Sequence, residues 1–202
     1  MRSRTPGSRS CRLRSGSGDV DVDITVVTKN EPAADNQLDL NLYFVGLEGL
    51  DAATAESDEG FQAILTQISA IYANAGMSIR AIRYQDIGGG DADTYGVIDS
   101  DAELAGLYQL AGSGSEQALN MYFVNDIAIG GGGLSILGLA GGVPGPPILQ
   151  GTSRSGVCVN MGSYLAAIAS GDQAMIDNAT AELEIIMAHE SGHFLGLYHT
   201  VE

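Results

Sequence analysis

The three histidines of this 202-residue chain all fall within eleven residues, as His189, His193 and His199. His189 and His193 stand at i and i+4, which on a helix puts both on one face, about one turn apart. The run from Ala174 to Leu195 reads as one continuous helix carrying them. Gly196 lies three residues after His193. Glycine adopts positive φ without steric cost, so it ends the helix and swings the chain back. His199 then falls within reach of the same point. A helix of this length needs a surface to rest on, and the preceding sequence supplies one.

Val20-Asp21-Val22-Asp23-Ile24-Thr25-Val26-Val27 alternates and is β-branched, which predicts a strand, and Leu38 to Val45 has the same period. Phe61, Ile64, Leu65, Ile68, Ile71 and Tyr72 recur at spacings of three and four, an amphipathic helix begun by Ser57 or Asp58 and stopped by Gly76. Residues 77–84, 118–124 and 157–161 read as further strands, and 104–110 as a short helix. A long glycine-rich loop with an apolar insert spans 130–147. Loops of that length in compact domains are more often functional than accidental.

Charge divides the chain. Arg2, Arg4, Arg9, Arg12 and Arg14 are five of the nine basic residues, and all 25 acids lie from Asp19 onward. Residues 1–18 read as a disordered basic tail, and 19–202 as the folded domain. The domain's acidity repels phosphate backbones and argues against nucleic-acid binding. No apolar run is long enough for a transmembrane helix, and the basic start has no apolar stretch of the kind a secretory signal contains. Cys11 and Cys158 are too far apart for a cysteine zinc site; whether they pair is not decided by sequence. Asp91, Asp93 and Gly96 occupy positions 1, 3 and 6 of a calcium loop, but Ala102 stands where that loop needs an oxygen ligand. An acidic surface loop is the better reading of 86–103.

Imidazole is the commonest metal-ligating side chain, and three protein ligands leave one position of a zinc ion open, as catalytic sites require. Glu190, beside the first histidine, has the place of a general base. Zinc lowers the pKa of bound water to about 7, the hydroxide attacks a peptide carbonyl, and the acid passes the proton to the leaving amine. Tyr198 reads as a core residue rather than an oxyanion stabiliser, Met187 as core, and Glu202 as a chain end.

His-Glu-x-x-His-x-x-Gly-x-x-His, here His189, Glu190, His193, Gly196 and His199, resembles the signature of the metzincin clan of zinc endopeptidases. The flanking Phe194-Leu195-Gly196-Leu197-Tyr198-His199-Thr200 looks most like the pappalysin-type branch and related bacterial secreted metalloproteases. The resemblance implies an α+β fold: a twisted mixed β-sheet, a backing helix at 61–72 and an active-site helix. It implies a protein or peptide substrate bound in extended form along a cleft strand, for which 119–124 and 157–161 are the candidates. It also implies a secreted protein. The family's methionine turn and C-terminal lobe follow the third histidine, and this sequence stops at Glu202, so a truncated catalytic domain is expected. Two alternatives from other classes are a non-catalytic zinc-binding module and a calcium-stabilised binding domain built on 86–103.

Overall fold

A computed structural model of the chain describes residues 9–15, 18–24, 36–111, 118–130, 136–146 and 149–199. It divides into two units, Met1–Asp35 and Asn36–Glu202. In the first, β1 (Arg9–Ser15) and β2 (Gly18–Ile24) form an antiparallel pair. Residues 9–15, inside the segment expected to be a tail, form a strand, and the strand expected near 20–27 is described over 18–24, where it pairs with β1. In register, Arg12 stands opposite Asp21, Arg14 opposite Asp19, Cys11 opposite Val22 and Leu13 opposite Val20.

The second unit runs β3 (Gln37–Val45), α1 (Ala52–Ala55), α2 (Glu59–Asn74), β4 (Ser78–Ile87), α3 (Gly89–Tyr95), β5 (Val97–Ile98), α4 (Asp101–Gln109), β6 (Ala118–Val124), β7 (Asp126–Ile127), β8 (Gly138–Ala140), β9 (Val157–Asn160), α5 (Gly162–Ser170) and α6 (Gln173–Phe194). Five strands form the main sheet in the order β4-β3-β6-β9-β8. All neighbours are parallel except β8, which runs antiparallel to β9 at one edge. This is the mixed sheet of an α+β fold, with α2 and α6 packed on one face.

Strand alternation sorts the side chains. Leu40, Leu42 and Phe44 of β3 and Leu119, Met121 and Phe123 of β6 share a core with Phe61, Ile64, Leu65 and Ile68 of α2 and Leu183, Met187 and Phe194 of α6. Phe44, Phe61 and Phe123 meet ring to ring at centroid separations of 5.2–5.7 Å, within the range of favourable aromatic pairing. Tyr43, Val45, Tyr122, Val124 and Cys158 face the other way, onto Leu107 and Tyr108 of α4. Both faces of β6 are therefore covered, which is why its sequence is apolar almost throughout. Asp58 caps α2 by accepting from the Phe61 amide at 2.7 Å, and Gly76, at φ 73°, turns the chain out of it.

Two local readings differ. Asp91 and Asp93 lie on helix α3, where residues two apart do not face each other, so the calcium loop is not formed. Among the described residues no group of three acids gathers at a point. Helix α5 is started by Met161, which makes no side-chain cap bond, while Asn160 Oδ1, one residue earlier, accepts from the Gly162 amide at 2.9 Å; no helix is expected there from the sequence. Among the described residues, no helix is long and apolar enough to cross a membrane.

Asp39 is a buried acid on β3, with 1% of its surface exposed. Arg80 of β4 grips it with two bonds, Nε to Oδ1 at 2.8 Å and Nη2 to Oδ2 at 2.9 Å, and Arg83 donates to Oδ2 at 3.2 Å. The Arg80 bonds, helped by Arg83, hold the Asp39 carboxyl below its ordinary value against the opposing effect of burial. A carboxylate whose folded pKa is depressed contributes stability that is present above the unfolded value, near 4, and lost as pH falls through the folded one. Denaturant titrations across pH 2–7 should show an acid-side loss of stability that Asp39→Asn flattens, with the variant also less stable than the parent at pH 7.

Candidate metal centre

Asp172 starts α6 by accepting from the amides of Ala174 and Met175, at 2.9 and 3.3 Å. Leu183, Met187, Ser191 and Phe194 are the helix's buried residues, and their spacing of four, four and three makes one stripe against the sheet. Ser191 Oγ donates back to the Met187 carbonyl, so its hydroxyl is satisfied within the helix. His189 and His193 lie off that stripe, exposed and half-buried respectively.

The helix ends as the sequence predicts. Gly196 takes φ 103°, its amide donates to the His193 carbonyl and the Leu197 amide to the Gly192 carbonyl, both at 2.9 Å. This pair of bonds is the Schellman arrangement, with Gly196 at the left-handed position. The turn does two further things. It aims the Leu197 carbonyl at His193 Nδ1, 2.7 Å away, and it returns His199 to the helix face. The three Nε2 atoms then lie 3.0 Å (His193–His189), 3.0 Å (His193–His199) and 3.2 Å (His199–His189) apart.

This geometry suits one divalent ion. A carbonyl can only accept, so His193 Nδ1 carries the proton and its Nε2 presents a lone pair inward. The three Nε2 atoms cannot all satisfy one another at once, since a ring nitrogen holds either one proton or one lone pair. Imidazole nitrogens 2.0–2.1 Å from a tetrahedral zinc stand about 3.3 Å apart, close to the observed spacings. The Nδ1–H to carbonyl bond is also the outer contact that normally fixes the tautomer of a ligating histidine.

Glu190 packs against the sheet edge. A Cβ placed on Gly138 would lie 2.7 Å from Glu190 Cγ and 2.9 Å from Ile186 Cγ2, so α6 and β8 approach this closely only because residue 138 is glycine. From the other face, the Tyr108 hydroxyl donates to the Leu139 carbonyl at 2.7 Å and holds the edge strand in place. Cys158, on β9 behind it, is a free buried thiol whose pKa burial pushes far up.

Two sequence expectations fail at this site. Residues 119–124 and 157–161 do not offer a cleft strand: β6 is paired on both sides by β3 and β9, and β9 by β6 and β8. The edge belongs to β8, a three-residue strand inside the glycine-rich loop, too short to show a period. Tyr198 is not in the core. It is 69% exposed, and its hydroxyl donates to the Val143 carbonyl at 2.9 Å. Met187 is fully buried, as expected, and Glu202 lies outside the described residues.

No protein-family model matches the sequence, and no curated protein matches it. Among solved structures, the chain is similar to the crystal structure of archaemetzincin from Methanopyrus kandleri, at 15% identity and a TM-score of 0.49, over 85% of this chain and 79% of that one.

Gly196→Ala forces a side chain into a backbone conformation that disfavours L-residues by roughly 1–2 kcal/mol. Its nearest neighbour, Pro144 Cβ, would be 3.6 Å away, so crowding adds nothing. Chemical denaturation should show a loss of that size, with weaker metal uptake in the same variant.

Proposed function

We propose that this chain is a zinc-dependent endopeptidase of metzincin type, in which His189, His193 and His199 hold the ion and Glu190 is the general base and then acid. The convergence of the three Nε2 atoms within 3.2 Å carries this reading. A zinc ion there supplies Lewis acidity, polarising a carbonyl and making water acidic enough to ionise near pH 7.

The chain's own residues supply the rest. His193, oriented through the Leu197 carbonyl, keeps its Nε2 lone pair inward. Glu190 takes a proton from the attacking water and returns it to the amine that leaves. Its approach to β8 puts that proton transfer beside the strand that takes the substrate. Leu137 accepts from the Asn160 amide at 3.0 Å, and Gly141 donates to Gly156 at 2.9 Å. Antiparallel pairing alternates, so the backbone groups of Gly138 and Ala140 point away from β9, to the open edge. An extended peptide added there forms main-chain bonds with those two residues and passes in front of Glu190.

A non-catalytic zinc-binding module uses the same three histidines, and one substitution separates the two. Purified chain titrated with zinc should take up one equivalent, and His189→Ala should not. The parent should cleave an unstructured protein substrate only with zinc present, and Glu190→Ala should bind zinc normally while losing cleavage by a factor of 100 or more, the lower range for a general base. Uptake with no cleavage by the parent selects the module. No uptake overturns both readings.

The close approach at Gly138 gives a second expectation. In Gly138→Ala the new methyl meets both Glu190 and Ile186 and forces α6 away from β8, so turnover should fall at least tenfold and the thermal midpoint should drop, while zinc affinity stays near the parent's. Steady-state kinetics alongside a zinc titration checks this.

A further inference from the structure

The segment after α6 is held by a loop far upstream. Residues 143–145 meet the end of α6 and the turn after it at every second position, Phe194, Gly196 and Tyr198. The Gly145 amide donates to the Phe194 carbonyl at 2.8 Å, and the Phe194 ring lies so close that a Cβ on Gly145 would fall 2.1 Å from it. Pro144 faces Gly196. The Tyr198 hydroxyl reaches across 55 residues of sequence to the Val143 carbonyl. The next residue is His199. The Tyr198 side chain lies mostly in solvent, so this bond is made where water is available to both groups and adds little to the core.

We propose that the 141–146 loop is a strap that positions the third histidine, with Tyr198 as its positioning residue. By tying Tyr198 to Val143, the strap fixes the backbone from which the His199 ring projects and so sets how tightly the three imidazoles hold zinc. The inference rests on the zinc reading above. The histidines at i and i+4 are held relative to each other by one helix, whereas His199 lies beyond a turn and depends on what that turn is fastened to. Contacts of this outer kind typically govern metal affinity by 10–100-fold when removed.

Competition of the purified chain against a chromophoric zinc chelator tests it, together with the visible spectrum of the cobalt(II)-loaded protein. Tyr198→Phe keeps the ring and deletes only the hydroxyl. Its zinc affinity should fall about tenfold, its cobalt bands should shift or broaden, and the melting temperature of its metal-free form should match the parent's. Tyr84→Phe is the control: the Tyr84 hydroxyl accepts from Gln62 at 2.9 Å, and its loss should leave zinc affinity unchanged. A Tyr198→Phe affinity within twofold of the parent overturns the proposal. So does an equal loss in Tyr84→Phe, or a lower metal-free melting temperature accounting for the weaker binding. If the parent itself takes up no zinc, the zinc reading fails and the strap with it; parent uptake with an unaffected Tyr198→Phe overturns the strap alone.

Discussion

Three ring nitrogens within 3.2 Å of one another are an arrangement that imidazoles do not choose for themselves. With the His193 proton committed to the Leu197 carbonyl, at most part of the triangle can be hydrogen-bonded at once. The fold has to hold the three rings in that arrangement, and each neighbouring feature contributes. The apolar stripe of α6 lays the helix on the sheet, Gly196 turns the chain, and the 141–146 loop fastens the turn.

How much of this was legible in the sequence depends on the range of each interaction. The stripe from Phe61 to Tyr72, strands β3, β4 and β6 and the helix bearing the histidines all carry a local period, and all stand where that period puts them. Gly196 was legible because helix termination is also local. β8 was not: three residues show no alternation, and its place follows from pairing with β9 and from the Tyr108 hydroxyl. The approach of Glu190 to Gly138 is a contact across 52 residues, and a glycine among many glycines gives no sign of it. Tyr198 reads as core from its residue type, yet it is exposed. Its bond to a backbone carbonyl left no trace in residue type, since any residue at 143 offers one.

Opposite the α2–α6 face, the sheet carries a buried polar lattice. Asn41 donates to Asn120 at 2.9 Å, Asn120 donates to Gln150 and to the Ser155 carbonyl, and Gln150 donates to the Ala118 carbonyl at 3.2 Å. With Asp39 and its two arginines, this spans three neighbouring strands and the chain leading into β9. Buried polar groups are costly unless each finds a partner, so a satisfied lattice admits few alternative registers. Fixing β9 in this way also fixes β8, whose one strand partner among the described residues is β9.

The brevity of β8 has a consequence of its own. An unpaired sheet margin is a template on which any extended chain can polymerise, and proteins guard such margins by keeping them short or twisted. Among the described residues, the rung left unpaired comprises the backbones of Gly138 and Ala140, interrupted by glycine at 141. A rung that short gives a second molecule little to build on, which discourages copies of the chain from stacking on one another.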